Sequence, residues 1–292
     1  MSLADPLAPA DPLQVSAPPE RVNYAIGVML DAQDFLDEQT YHRGRLAAAL
    51  KALVGFGTLA GLRVTPPADG DADLQLRVEP GLAIDRYGRL VQINDAQCIR
   101  LSRWFAAQTT GVLRAAIQRT PRVTTDVAVV VDVFLSADTC PRGKTPAFAT
   151  GPFDALDAVV PSRLTDASKL KLVPRDEGPP GPIPAPRNFW PAANASRDDL
   201  LKAVLGSWEP APATADDSLE PLAEHVEGND PSAVLLARVT IPVTLAADAP
   251  AETRPVLKLT ERISADNSPR PFIALPGKWL GRAFDDKPLI QP

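Results

Sequence analysis

Thirty-two of the 292 residues are proline, against 17 glycines, about twice the usual share of proline. Proline fixes its own φ and has no N–H to donate. A chain this rich in it cannot coil or ladder throughout, so its proline-dense stretches run extended and take any order from what they dock on. Five prolines fall in the first 20 residues (Pro6, Pro9, Pro12, Pro18 and Pro19), where no helical period exists. Residues 1–20 read as an extended N-terminal arm, either a frayed terminus or a strap lying on a neighbouring subunit. A second cluster (Pro174, Pro179, Pro180, Pro182, Pro184, Pro186 and Pro191) marks residues 174–230 as a rigid connector. Within it Ser196-Arg-Asp-Asp199 has a capping-box-like pattern. Leu200, Leu201, Val204 and Leu205 supply the apolar side of a short helix that Gly206 ends.

The remainder divides into a main domain over 21–173 and a C-terminal β segment with tail over 231–292. The first strong pattern is helical. Asp31-Ala-Gln-Asp-Phe-Leu-Asp-Glu leads into Thr40–Val54, with Leu46, Leu50, Leu53 and Val54 on one face and Gly55 available for a left-handed cap. The period then changes to two. Thr58 to Val64 and Leu74 to Glu79 read as strands, and Leu82–Asp85 and Arg89–Ile93 flank the hairpin loop Arg86-Tyr-Gly88. Ser102 is placed to cap a helix running to about Arg119, which Pro121 ends. The β-branched run Asp126–Leu135 fits a central strand covered on both faces, or a buried helix segment, since periodicity does not separate the two. Ala233 to Ile241 alternates as a strand, and Val256–Leu259 does so more weakly. The expected class is α+β: N-terminal helices followed by antiparallel β-structure, with a Pro-rich extended arm and connector.

Chemistry-bearing patterns are few. Asp138-Thr-Cys-Pro-Arg-Gly-Lys-Thr145 ends like a phosphate-binding loop, but Asp138 stands where that loop needs glycine and Pro146 follows at once. His42 and His225 are the only histidines and Cys98 and Cys140 the only cysteines, none at metal-ligand spacing. Asp31, Asp34 and Asp37 lack the pattern of a calcium loop and suit an acidic first helical turn. No cofactor, metal or catalytic residue is expected. A net charge of -6 with interspersed signs argues against nucleic acid and anionic membrane as partners. With no apolar run of 18 residues and no secretory pattern at the start, the expectation is a chain assembled in the cytoplasm, its thiols reduced.

One stretch carries a resemblance. Met29-Leu-Asp-Ala-Gln-Asp-Phe35, Glu38-Gln-Thr-Tyr-His-Arg43, Gly55-Phe-Gly-Thr-Leu-Ala-Gly-Leu-Arg-Val64 and Val78-Glu-Pro-Gly-Leu-Ala-Ile-Asp-Arg-Tyr-Gly-Arg89 follow one another in an order that resembles mostly uncharacterised proteins of phage tails and phage-tail-like contractile injection systems. Val234–Ile241 is similar to a strand common in such proteins. The resemblance implies a structural role in a baseplate, tail-tip or fibre-attachment complex, with other subunits as partners and homo-oligomers within the assembly. It brings no catalytic signature. Partner contacts are expected at Tyr41, His42, Arg43 and Arg45 (whose alternative is a solvated helix face) and at Trp279 in the tail. The competing functions are a receptor- or glycan-binding fibre module using Trp190, Trp208 or Trp279, and a cell-wall or capsule hydrolase using unrecognised carboxylates.

Overall fold

The β-branched run is a strand, and the rest of the chain is built around it. The computed structural model describes residues 13, 20–68, 71, 73–118, 127–146, 159–176, 196, 198–199, 219–246 and 248–273. Most of the arm, most of the connector with its short helix beyond Asp199, and the tail from 274 lie outside the described residues. At the start of that helix, Ser196 Oγ donates to Asp199 Oδ2 at 2.7 Å and accepts from the Asp199 N–H at 3.2 Å.

In chain order the elements are α1 (Ala32–Val54), β1 (Gly57–Gly61), β2 (Val64–Thr65), β3 (Gln75–Val78), β4 (Gly81–Ile84), β5 (Leu90–Ile93), β6 (Gln97–Arg100), α2 (Leu101–Ala107), α3 (Thr110–Ala115), β7 (Ile117–Gln118), β8 (Ala128–Arg142), β9 (Thr145–Pro146), β10 (Val159–Val160), β11 (Arg163–Pro174), β12 (Val234–Thr244), β13 (Val256–Leu257) and β14 (Ser264–Asp266). Among the described residues every strand pair is antiparallel, which places the chain among mixed α and antiparallel-β proteins. The main sheet runs β11-β8-β12-β13, with β7 added to β8 and β14 to β12. Two small sheets, β1-β4-β5 and β2-β3-β6, come from the preceding segment.

Alternation along β8 explains this layering. Val129, Val131, Val133 and Leu135 face one way, into a core with Leu76, Val78 and Val91 from the small sheets, Leu101 and Phe105 from α2, and Val239 and Ile241 from β12. Phe134 faces the other way and packs with Val173, Ala233, Leu235 and Val226. The sheet is covered on both sides, so the strand reads as a continuous apolar run. The division between 173 and 231 does not separate two cores, because β12 pairs with β8 from Val234↔Leu135 to Pro242↔Ala128. The C-terminal segment supplies the central neighbour of the main domain's longest strand.

Two local expectations change. The strand expected over 58–64 is split, because Leu62 turns the chain at φ 57 and ends β1 before β2 begins. The helix expected from Ser102 to about Arg119 begins instead at Leu101, which is fully buried and whose N–H donates to Leu74 O at 3.0 Å. It stops at Gln108, in an extended conformation at ψ 148. Thr109 then caps α3 by accepting from the Val112 N–H at 3.3 Å. Tertiary bonds, not the propensity of 102–119, set these boundaries.

The start of α1 follows its sequence. Asp31 and Asp34 form a capping box, and Gly55 closes the helix at φ 74. The helix lies on the β4–β5 loop at Gly88, where a Cβ would come within 2.1 Å of Ala47 O and where φ is +88. Both geometry and space demand glycine there. Gly88→Ala is expected to lower unfolding free energy by roughly 2–5 kcal/mol, read by urea titration. Gly111→Ala, at an open helical position, should leave stability equal or raised by about 0.5–1 kcal/mol.

Candidate functional site

Charge is built into the interior of the sheet. Asp132 sits mid-strand in β8 and is fully buried. Arg238, opposite it on β12, donates Nε to Oδ1 at 2.7 Å and Nη2 to Oδ2 at 2.9 Å. On the β11 side, Arg175 Nε lies 3.4 Å from Oδ2 and its Nη1 donates to Glu224 O at 2.7 Å. Burial depresses Arg175, with Asp132 opposing that and the neighbouring Arg238 adding to it. One carboxylate between two guanidiniums is a strut between three strands, and Glu224, itself buried, adds negative charge nearby.

A second buried pair holds the β4–β5 loop. Asp85 Oδ1 accepts from the Tyr87 and Arg89 N–H groups at 3.0 and 2.9 Å, and Oδ2 accepts from Arg89 Nε at 2.6 Å. Arg89 Nη2 donates onward to Ser232 Oγ at 3.2 Å, joining the loop to the start of β12. Burial pushes the Asp85 carboxyl above its usual range, against the opposing pull of Arg89 and of these hydrogen bonds.

Other arginines hold carbonyls. Arg86 donates to Glu220 O and Pro231 O, both at 2.7 Å. Arg114 reaches Pro250 O and Thr253 O, while Arg254 reaches Phe105 O at 2.5 Å and Gln108 O at 2.7 Å and lies over the Phe105 ring. A cation at the C-terminus of α2 satisfies carbonyls that the helix leaves open. Arg270 donates to Gly61 O and to Leu236 O, both at 3.0 Å. Leu236 is the residue skipped where β12 shifts register against β8, so its carbonyl is available. Burial brings the Arg270 guanidinium down to about 10, with nearby Arg63 acting in the same direction.

The residues singled out by sequence are dispersed. His42, Arg43 and Arg45 are exposed on α1, whereas Tyr41 is half-buried beside them. His42 Nε2 lies 2.9 Å from Glu38 Oε1. Trp279, Trp190 and Trp208 lie outside the described residues. Residues 138–142 of the loop compared with a phosphate site are extended in β8, and Thr145 is in strand β9 rather than opening a helix. His225 is structural: Nδ1 accepts from the Leu222 N–H, Nε2 donates to Ala233 O, and the ring stacks on Phe134 at 5.5 Å. Cys98 and Cys140 are free and exposed. Among the described residues no group of His, Cys, Asp and Glu has the arrangement of a metal site.

Two surfaces remain that the sequence did not locate. Beyond Leu135, where pairing with β12 stops, β8 continues to Arg142 paired with β11 alone, and β9 and β10 prolong the two-stranded ribbon. Val159, Val160 and Leu164 are bare on it. Nearer the core, α2, α3 and β11 enclose a groove of about 500 Å³ lined by Trp104, Gln108, Val112, Leu170, Asp176 and Asn229, among others. No protein-family model matches this chain, and no curated protein matches it.

Removing Asp132 leaves two guanidiniums buried without their carboxylate, so Asp132→Ala should cost about 3–5 kcal/mol. Replacing Asp132, Arg175 and Arg238 together by apolar residues should cost less, which chemical denaturation will show. Asp85 gives a pH signature. Its folded carboxyl holds the proton more tightly than the unfolded one, so the stability it contributes is greatest below the unfolded range and is lost as pH rises through the folded value. The stability of the wild type relative to Asp85→Asn should therefore fall as pH is raised from the ordinary carboxylate range upward.

Proposed function

We propose that this chain is a non-catalytic building block of a larger protein assembly, acting through protein–protein contacts. More specifically, we read it as a component of a phage-tail-like contractile particle, in its baseplate, tail-tip or fibre-attachment region, assembled in the cytoplasm with copies of itself and other subunits. The observation that carries the first step is the β8–β11 ribbon. A two-stranded ribbon in water is marginal. This one extends past its sheet with no third strand paired to it among the described residues. Its N–H and C=O edges and its bare valines suit strand addition by a neighbour. The buried charged groups point the same way, since their bonds hold strands and loops together. The second step rests on the order of motifs between Leu30 and Leu101. The proline-dense sequences of 1–20 and 174–230 belong to the same reading, since such sequences suit contacts along a neighbour.

The groove beside Trp104 favours one other reading, a glycan- or receptor-binding module, since an aromatic face rimmed by Gln108, Asn229 and Asp176 suits a sugar. Mass spectrometry of a purified particle is expected to find the chain as a component. Val160→Asp with Leu164→Asp, or removal of residues 1–20, should leave the fold intact and lower incorporation. Wild-type incorporation of both variants would remove ribbon and arm as contacts. Saturable glycan binding lost in Trp104→Ala would favour the module, and turnover of a cell-wall substrate would overturn the non-catalytic reading.

A further inference from the structure

The outward face of α1 repeats with a coiled-coil period. From Phe35 the steps alternate four and three, through Gln39, His42, Leu46, Ala49 and Leu53, and all six side chains are exposed. Phe35, Leu46 and Leu53 are 52%, 62% and 70% exposed. The opposite face meets the protein itself: Ala47 is buried and lies over Gly88, and Leu13 lies 3.6 Å from where a Cβ of Gly44 would be. The helix is therefore docked by one stripe and presents a second apolar stripe that its own domain does not cover. We infer that a second copy of this chain covers it, the two α1 helices packing in parallel and in register.

Charge complementarity selects both the occupant and the direction. With Gln39, Leu46 and Leu53 at a positions and Phe35, His42 and Ala49 at d positions, Glu38 is a g residue and Arg43 an e residue. In a parallel pair a g residue faces the e residue five places further along the neighbouring helix, so Glu38 meets Arg43 of the other copy, twice by symmetry. Arg45 then lies along Leu50, its stem covering the leucine while its charge stays in water. The antiparallel register that stacks a on d, pairing Phe35 with Leu53, instead brings Arg43 onto Arg43 and Arg45 onto Arg45, and like charges there repel. The polar layers at Gln39 and His42 weaken the seam and fix its register, as single polar core residues do in coiled coils. The contact is modest alone and gains strength when a particle holds the copies together.

This names a partner for the building block proposed above, yet its test does not depend on that reading. Size-exclusion chromatography with light scattering on the full chain, up to roughly 100 μM, is expected to give a mass above the monomer's 31.1 kDa. Leu46→Glu with Leu53→Glu should return it to the monomer, melting as the wild type does at dilutions where it too is monomeric, because both positions are exposed in the single copy. In a background with Cys98→Ser and Cys140→Ser, Ala49→Cys should form a disulfide with itself under mild oxidation, since in-register helices place identical d residues face to face. A wild type that stays monomeric overturns the inference, as does an oligomer that survives the paired Glu substitutions. Cross-linking of Ala49→Cys to Gln39→Cys in preference to itself overturns the parallel arrangement. A monomer that still enters a particle refutes this inference alone, whereas an α1-linked oligomer absent from any particle refutes only the particle reading.

Discussion

Everything in the main sheet is aligned on Asp132. It lies in the middle strand, level with Val173 of β11 on one side and Arg238 of β12 on the other. Two arginines reach it from sequence positions far away, one of them 106 residues distant. A slip of one residue in β8 would move the carboxylate to the face of Val131 and Val133 and bring those valines among the guanidiniums. Burying such a cluster costs about as much as it returns, so its main consequence is registration. It fixes which residues of three separate chain segments lie side by side, and thereby which face of the sheet each segment covers.

The same logic extends to the abundance of proline. Each proline keeps a carbonyl and removes a donor, so irregular segments rich in it carry more acceptors than donors. Arginine has five N–H donors and no acceptor, which is the reverse deficit. Arg86, Arg114 and Arg175 bind carbonyls of residues 220–253 that the sheets leave unused. Arg254 and Arg270 bind the end of α2, the strand end at Gly61 and the irregular residue of β12. These bonds join loops to elements more than 100 residues away in most cases, and they replace ladder bonds that the chain cannot make. An arginine-to-lysine change at such a site would keep the charge and lose the fork.

Local pattern was enough wherever one face or one turn decided the structure. The capping of α1, the Gly55 stop and the alternation of β3 and β12 are all readable from spacing. So is the loop at Gly88, although the requirement for glycine is doubled by Ala47 O, which no local pattern contains. The ribbon is hard to read from sequence because Arg163–Asp166 is exposed on both faces, so that part of β11 has no buried side to give an alternation; only Lys169–Leu172 alternates. The break between α2 and α3 is not legible locally, because Arg254, distant in sequence, binds Phe105 O and Gln108 O there. The central ion cluster did leave a trace, a lone Asp132 in one valine run and a lone Arg238 in another apolar run. A single acid and a single base, each embedded in a buried strand, are each costly alone and tolerable only together. That pairing rule marks the two runs as neighbouring strands.

The distribution of polarity also bears on what the chain is for. Asp85, Asp132, Arg175 and Arg270 are inside, at interior positions that apolar side chains ordinarily take. On the outside, Phe35, Leu36, Leu46 and Leu53 are bare on one helix, and Val159, Val160 and Leu164 on the ribbon. Scattered exposed leucines need no explanation, whereas several on one element do. On α1 the bare stripe lies opposite the side that Ala47 buries against the β4–β5 loop. Internal ionic struts of this kind hold the single chain in one shape, and its bare apolar side chains lie outside them, on α1 and on the ribbon.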